Sequence, residues 1–180
     1  MNRLIRNLEK YFIANPLLEL IRVAKKRKPK DYNDTQAILV SDPLGKPHYK
    51  NFNSKLNINF SVDKLPFTNL EILDPRIVTI APNSKNELHR HAHESIFVIL
   101  SGNGKVRIGS TEYSVKKGQI AFVPRWQVHQ TSNTSSESPL VILAIADFGF
   151  TSTILGNYDK RTRLAENGDQ ANQKQLGLIQ

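Results

Sequence analysis

The feature that most restricts the fold of this chain is a series of short β-type apolar segments, each bounded by turn-forming residues. From about residue 36 they read QAILVS, LNINFSV, LEIL, RIVTIAP, IFVIL, KVRIG, EYSV, IAFVP and LVILAIADF. Between them lie SGNGK, GST, KKGQ and SNTSSESP, which supply the glycine, asparagine and serine that turns require. Short strands at regular spacing, with no helical pattern between them, predict an all-β sandwich or barrel. No internal repeat is present, so a single barrel is expected.

The flanks have a different texture. Leu4, Ile5, Leu8 and Phe12 recur at helical spacing, and Asn15-Pro16 forms a helix-start signal before Leu17, Leu20 and Ile21. Residues 1–30 thus read as a basic amphipathic helical arm ending in KKRKPK, residues 31–156 as the barrel, and residues 157–180 as a polar C-terminal tail. The arm holds nine Lys or Arg against Glu9 and Glu19, a net of +7 within the whole chain's +9. Its basic face suits either an acidic partner or anionic membrane surface, or plain solvation beside an apolar stripe packed on the body.

The 180 residues suffice for one domain with a buried core, and they include no cysteine. Disulfides, thiolate ligands and cysteine nucleophiles are therefore excluded, which fits a reducing cytoplasm. The apolar run YFIANPLLELIRVA is broken by Asn15, Pro16, Glu19 and Arg22, and reads as neither signal peptide nor membrane span.

Three of the five histidines fall within HRHAH, residues 89–93. Side chains two apart on a strand point to one face, so His89 and His91 can reach a single metal ion through neutral imidazole. A third ligand must come from elsewhere in the fold, and His129, after GQIAFVPRWQV, is the candidate. His48 sits among turn residues and receives no role.

The segments HRHAHESIFVILSG and GQIAFVPRWQVHQTSN together resemble the two sequence motifs of the cupin superfamily. Gly102 closes the first motif, and Gly118, Pro124, His129 and Asn133 stand at the spacing of the second. The motifs span residues 89–133, and the strand pattern extends the resemblance over roughly 70–148. It implies a small antiparallel jelly-roll barrel holding one metal, usually in a homodimer. Two positions depart from the pattern. Ser95 stands where the family's glutamate ligand is expected, while Glu94 points outward by strand parity. Trp126 replaces a glycine, and is placed either over the pocket mouth or against the barrel rim.

The resemblance therefore implies a mononuclear site of three neutral imidazoles with open positions. Such all-histidine members resemble iron dioxygenases acting on diketones or gentisate-like compounds. Fe(II) is the favoured ion, although imidazoles also accept Zn, Ni, Mn or Cu. His93 is expected at the rim or beside the ligands, and Ser95, Phe97, Ile99 and Phe122 along the pocket. The first functional expectation is a dioxygenase for an enolate, diketone or catechol-like substrate. The alternative is a non-catalytic small-molecule-binding or sensory module. A metal-assisted isomerase or lyase ranks below both, because the sequence offers no convincing base.

Overall fold

The computed structural model describes residues 46–67, 70, 72–155 and 163–165. The chain divides into two compact units, Met1–Leu39 and Val40–Gln180, and every described residue lies in the second. The expected helical arm and the QAILVS segment lie outside the described residues.

Eleven strands carry the described part: β1 (Lys46–Asn53), β2 (Ile58–Lys64), β3 (Asp74–Ile80), β4 (His89–His91), β5 (Ser95–Ser101), β6 (Asn103–Ile108), β7 (Thr111–Lys116), β8 (Ile120–Val123), β9 (His129–Asn133), β10 (Leu140–Ala146) and β11 (Arg163–Ala165). One helix, α1 (Phe148–Leu155), follows β10. Along β5, Ser95, Phe97 and Ile99 are buried while Ile96 and Leu100 are exposed, the period-two pattern of a strand with one inward face. The same alternation buries Ile58, Phe60 and Val62 on β2, and His129, Thr131 and Asn133 on β9. Faces of this kind must be covered, and two sheets cover each other. The first has the order β1-β2-β3-β10-β5-β8 and the second β11-β4-β9-β6-β7. All pairings between these strands are antiparallel, giving the expected all-β jelly-roll barrel.

Register divides the interior into an apolar end and a polar end. Ile80 of β3 lies opposite both Phe60 of β2 and Leu140 of β10. Ile142 of β10 lies opposite Val78 of β3 and Ile99 of β5. These residues join Val106, Val115 and Val123 in one core cluster. Burial of each large aliphatic side chain there stabilises the fold by about 1.5–3 kcal/mol. Two steps further along β10 the inward side chains shrink to Ala144 and Ala146, opposite Arg76 and Asp74 of β3 and Phe97 and Ser95 of β5. A cavity opens at this end.

Gly102 joins β5 to β6 with φ +79, in the left-handed region open to glycine, and a Cβ there would lie 2.6 Å from the Pro139 carbonyl oxygen. Asn133 ties the far end of β9. Its Nδ2 donates to the carbonyls of Ile80 at 3.1 Å, Ala81 at 3.2 Å and Ser138 at 2.8 Å, and its Oδ1 accepts from Ser135 N.

Several local expectations are corrected. LEIL forms no strand at its described positions, whereas the segment around GKPHYK supplies β1, paired to β2. Helix α1 begins where strand character was expected to continue through Phe148. Within the expected polar tail, Arg163–Ala165 adds a strand beside the histidine-bearing β4. Neighbouring strands offer unpaired backbone groups, and pairing with them outweighs weak local propensity. Among the described residues no helix is long and apolar enough to cross a membrane.

Candidate metal centre

Strands β4 and β9 bring the three histidines together, with His89 directly opposite His129. Parity places His91 on the same inward face as His89. Ring centroids are 4.3 Å apart for His89–His129, 4.5 Å for His91–His129 and 5.5 Å for His89–His91. One ligand-capable atom of each ring lies within 4.8 Å of the others, a spacing that a single ion can bridge. The three side chains are buried, His129 completely.

Backbone carbonyls set the tautomer of each ring. Nδ1 of His89 lies 2.9 Å from the Glu87 oxygen, Nδ1 of His91 2.9 Å from the His93 oxygen, and Nδ1 of His129 2.9 Å from the Gln127 oxygen. A carbonyl can only accept, so Nδ1 carries the hydrogen in each neutral ring and the Nε2 lone pair is left for a metal. The donor set is thus chemically suited to a divalent transition ion, with no thiolate or carboxylate in the group.

His93 lies inside, 3% exposed, and stacks on His91 with centroids 3.6 Å apart and planes 10° from parallel. Burial pushes its pKa down to about 4, against the opposing pull of Asp147 and with help from the Arg76 charge. It is therefore neutral near pH 7, and its carbonyl orients His91.

The loop that carries His93 is held from the second motif. Arg125 donates from Nη1 to the Ala92 carbonyl at 2.9 Å and pairs with Asp147 through Nη1 and Nη2. Asp147 also accepts from Glu94 N at 2.9 Å, and Trp126 N donates to the His91 carbonyl at 2.7 Å. Glu94 is exposed, as parity requires, with a carboxylate oxygen 3.7 Å from Arg125.

The histidines border a cavity of about 80 Å³, whose wall includes Ser95, Phe97 and His93 as expected. Two other expected lining residues, Phe122 and Ile99, are placed elsewhere. Phe122 is 53% exposed on the outer face, because its neighbour Val123 faces inward opposite Ser95. Ile99 is buried in the apolar core and does not reach the cavity wall. Trp126 is 43% exposed and also stands outside that wall. Its φ of +57 puts a large side chain in the left-handed region that glycine favours.

The wall contains polar residues that the sequence reading missed: Asp74, Arg76, Asn86 and Glu87. Arg76 donates to Asp74 through Nε at 2.9 Å and through Nη2, and lies 5.6 Å from the centre of the Phe148 ring. Glu87 accepts from Nδ2 of Asn51 on β1. Period-two parity run backwards from Ile80 through Val78 would have turned Arg76 and Asp74 inward. Glu87 had no comparable signal.

An antiparallel barrel with three imidazoles converging on its interior defines a metal-site β-barrel protein. Residues 76–146 match the family described as Cupin domain, and this stretch of the chain is a cupin domain. Auxin-binding protein 1 of Arabidopsis thaliana is 30% identical over 77 residues, which cover 38% of this chain and 39% of that protein. The chain spans about two fifths of the length of the auxin-binding relatives it matches. A cupin-2 domain protein of Rhodospirillum rubrum has the same fold, with a TM-score of 0.55 and 17% identity over 86% of this chain and 91% of that one. Salicylate 1,2-dioxygenase of Pseudaminobacter salicylatoxidans shares the fold with a TM-score of 0.54 and 10% identity, over 61% of this chain and 31% of that one.

Proposed function

We propose that this protein is a metal-dependent cupin dioxygenase in which His89, His91 and His129 hold one divalent transition ion, Fe(II) in the working enzyme. The observation that carries this reading is the set of three Nδ1–carbonyl contacts, which leave three Nε2 atoms of matched tautomer facing one point. When bound, the ion supplies Lewis acidity and, for iron, electron exchange with dioxygen. The chain supplies the remainder. His93 and the Arg125–Asp147 pair keep the ligand loop in place, and Phe97 and Phe60 give the chamber an apolar wall. Ser95 adds no charge, so the three imidazoles that would hold the ion leave its charge for an oxygen-rich anionic ligand.

The test is metal analysis of freshly purified protein beside His129→Ala, with oxygen uptake measured on a panel of diketones and catechols. About one equivalent of iron in the wild type, lost in the variant, with uptake only in the former, supports the reading. Equal metal in both proteins refutes the ligand set, and iron without uptake refutes the dioxygenase.

A second reading, a non-catalytic binding module, is favoured by the curated relatives, which are named as auxin-binding proteins. Saturable ligand binding without turnover by iron-loaded protein would distinguish it. We further assign the outer face of β5 and β8, where Ile96, Ile120 and Phe122 are exposed, to a homodimer contact. Phe122→Lys should convert a dimer to a monomer in light scattering, and a wild-type monomer would refute that assignment. The absence of cysteine accords with a reducing compartment such as the cytoplasm.

A further inference from the structure

The two sheets present different outer faces. Outward positions of β5 and β8 carry Ile96, Ile120 and Phe122, whereas those of β4, β9, β6 and β7 carry only polar or charged side chains. Register sets the latter side by side. Ser132 of β9 lies opposite Lys105 of β6, Lys105 lies opposite Ser114 of β7, and Lys85 bridges to Ser132 from its other side. In the neighbouring rows Arg107 lies between Gln130 and Glu112, and Asn103 is paired with Lys116. With Arg90 on β4, the face holds five cations against one carboxylate, Glu112, a net of +4. Glu112 is bonded to Lys105 at 2.7 Å. Lys85, Arg90, Arg107 and Lys116 have no carboxylate partner among the described residues, and Arg107 gives Nε to the Gly109 carbonyl at 3.0 Å. Cations gathered in this way repel one another until an anion meets them.

A partner for this face must be an extended anion. Lysine, arginine, serine, asparagine and glutamine, interleaved here, are the side chains that contact phosphate oxygens. The outward positions offer no aromatic ring on which an unstacked base could lie, so a single strand lacks its usual platform. They offer no apolar side chain either, and binding at a lipid interface draws on buried apolar area. A sheet of this breadth exceeds the two-stranded ribbon that enters a major groove, which leaves base edges out of reach. An RNA duplex is recognised across its shallow minor groove, whereas a broad face meets outer phosphates. Along a strand, Lys105 and Arg107 stand about 6.8 Å apart, and Lys85 is two strands, about 9.5 Å, from Lys105. DNA presents one charge per about 1.7 Å of axis, dense enough to meet these cations together. We infer that the outer face of the second sheet binds the phosphate backbone of double-stranded DNA without reading its sequence. This contact is independent of the proposed metal site.

The test titrates full-length protein into a fluorescein-labelled DNA duplex of about 20 bp, read by anisotropy from about 50 to 200 mM salt. Lys85→Gln/Arg107→Gln removes two phosphate contacts. It should lower the slope of log affinity against log salt by about 1.8 and weaken binding roughly ten-fold or more. Lys50→Gln/Lys64→Gln removes the same charge from exposed positions of β1 and β2. It should keep the affinity within about three-fold of wild type and the slope nearly unchanged. Residues 1–30 are common to the three proteins, so their basic charge cancels in the comparison. Two unrelated DNA sequences should bind within about three-fold of each other. Circular dichroism checks the fold of both variants, whose substituted side chains are exposed or half-buried. No DNA binding by the wild type, equal losses in the two variants, or no loss in Lys85→Gln/Arg107→Gln would each overturn the inference. So would an RNA duplex of the same sequence bound at least about ten times more tightly. Vesicles containing phosphatidylserine give the lipid arm: vesicle binding lost in Lys85→Gln/Arg107→Gln, with DNA binding kept, would assign the face to membrane and refute the DNA contact.

Discussion

Removing the Arg125 guanidinium should unsettle both the barrel and its histidine site. In Arg125→Ala the Asp147 carboxylate, 17% exposed, loses the cation it faces, and the Ala92 carbonyl loses a donor at 2.9 Å. A charge-assisted pair contributes about 1.5–3 kcal/mol when desolvated. The Arg125 side chain is 37% exposed, so solvent screening places this pair near the lower end, about 2 kcal/mol. The neutral bond to Ala92 adds about 1 kcal/mol, while the longer Glu94 contact on the surface adds less than about 1 kcal/mol. The variant should therefore lose about 3 kcal/mol, read by urea unfolding of metal-free protein through the fluorescence of Trp126, the only tryptophan. Metal binding should report the same perturbation by another route. Residues 92–94 carry the carbonyl that orients His91, and loss of such support typically lowers metal affinity about 10- to 100-fold. A zinc competition titration measures this. A double-mutant cycle with Asp147→Ala should yield a coupling of about 1.5–2 kcal/mol. If Arg125→Ala stays within about 0.5 kcal/mol of wild type and binds zinc as tightly, the clamp does not operate as described.

Asn133→Ala removes an amide that serves carbonyls of three residues and one backbone N–H, and should cost about 3 kcal/mol in the same unfolding assay. Asn133→Asp should be worse, because it presents a buried charge to those carbonyls; an aspartate variant as stable as the alanine one would contradict this. Gly102→Ala forces a Cβ into positive φ and toward the Pro139 carbonyl, and should lower stability by about 1–3 kcal/mol by thermal melting. Ser95→Glu adds a negative charge to the cavity wall, so zinc affinity in a competition titration should rise by roughly ten-fold or more. An unchanged or weaker affinity would show that position 95 does not act on the bound ion.

Much of the candidate site is legible without coordinates. HRH on one strand puts two imidazoles on one face by alternation alone, and the spacing GQIAFVPRWQVH supplies the third. Ser95 and Phe97 follow from the same parity and do line the cavity. Phe122 was misplaced because parity on an isolated short strand has no anchor. Only its pairing, with Val123 opposite Ser95, shows which face looks inward. Strand β1 is mostly polar and β11 is only three residues long, too short to show a period, so pairing with neighbouring strands rather than local propensity forms them.

The sequence by itself determined most of the short strands, the turns between them and the identity of the three convergent histidines. Those properties depend on side-chain alternation and on local turn chemistry, both set over a few residues. Tertiary structure alone decided which distant residues share a layer of the barrel. Register brought Arg76 and Asp74 opposite two alanines and beside the histidine chamber, and drew the Arg125–Asp147 pair across the ligand loop. Carbonyls from Glu87, His93 and Gln127 then fixed the tautomers. Contacts of this kind depend on the sheets' mutual register and on exact backbone direction, which no residue pattern records.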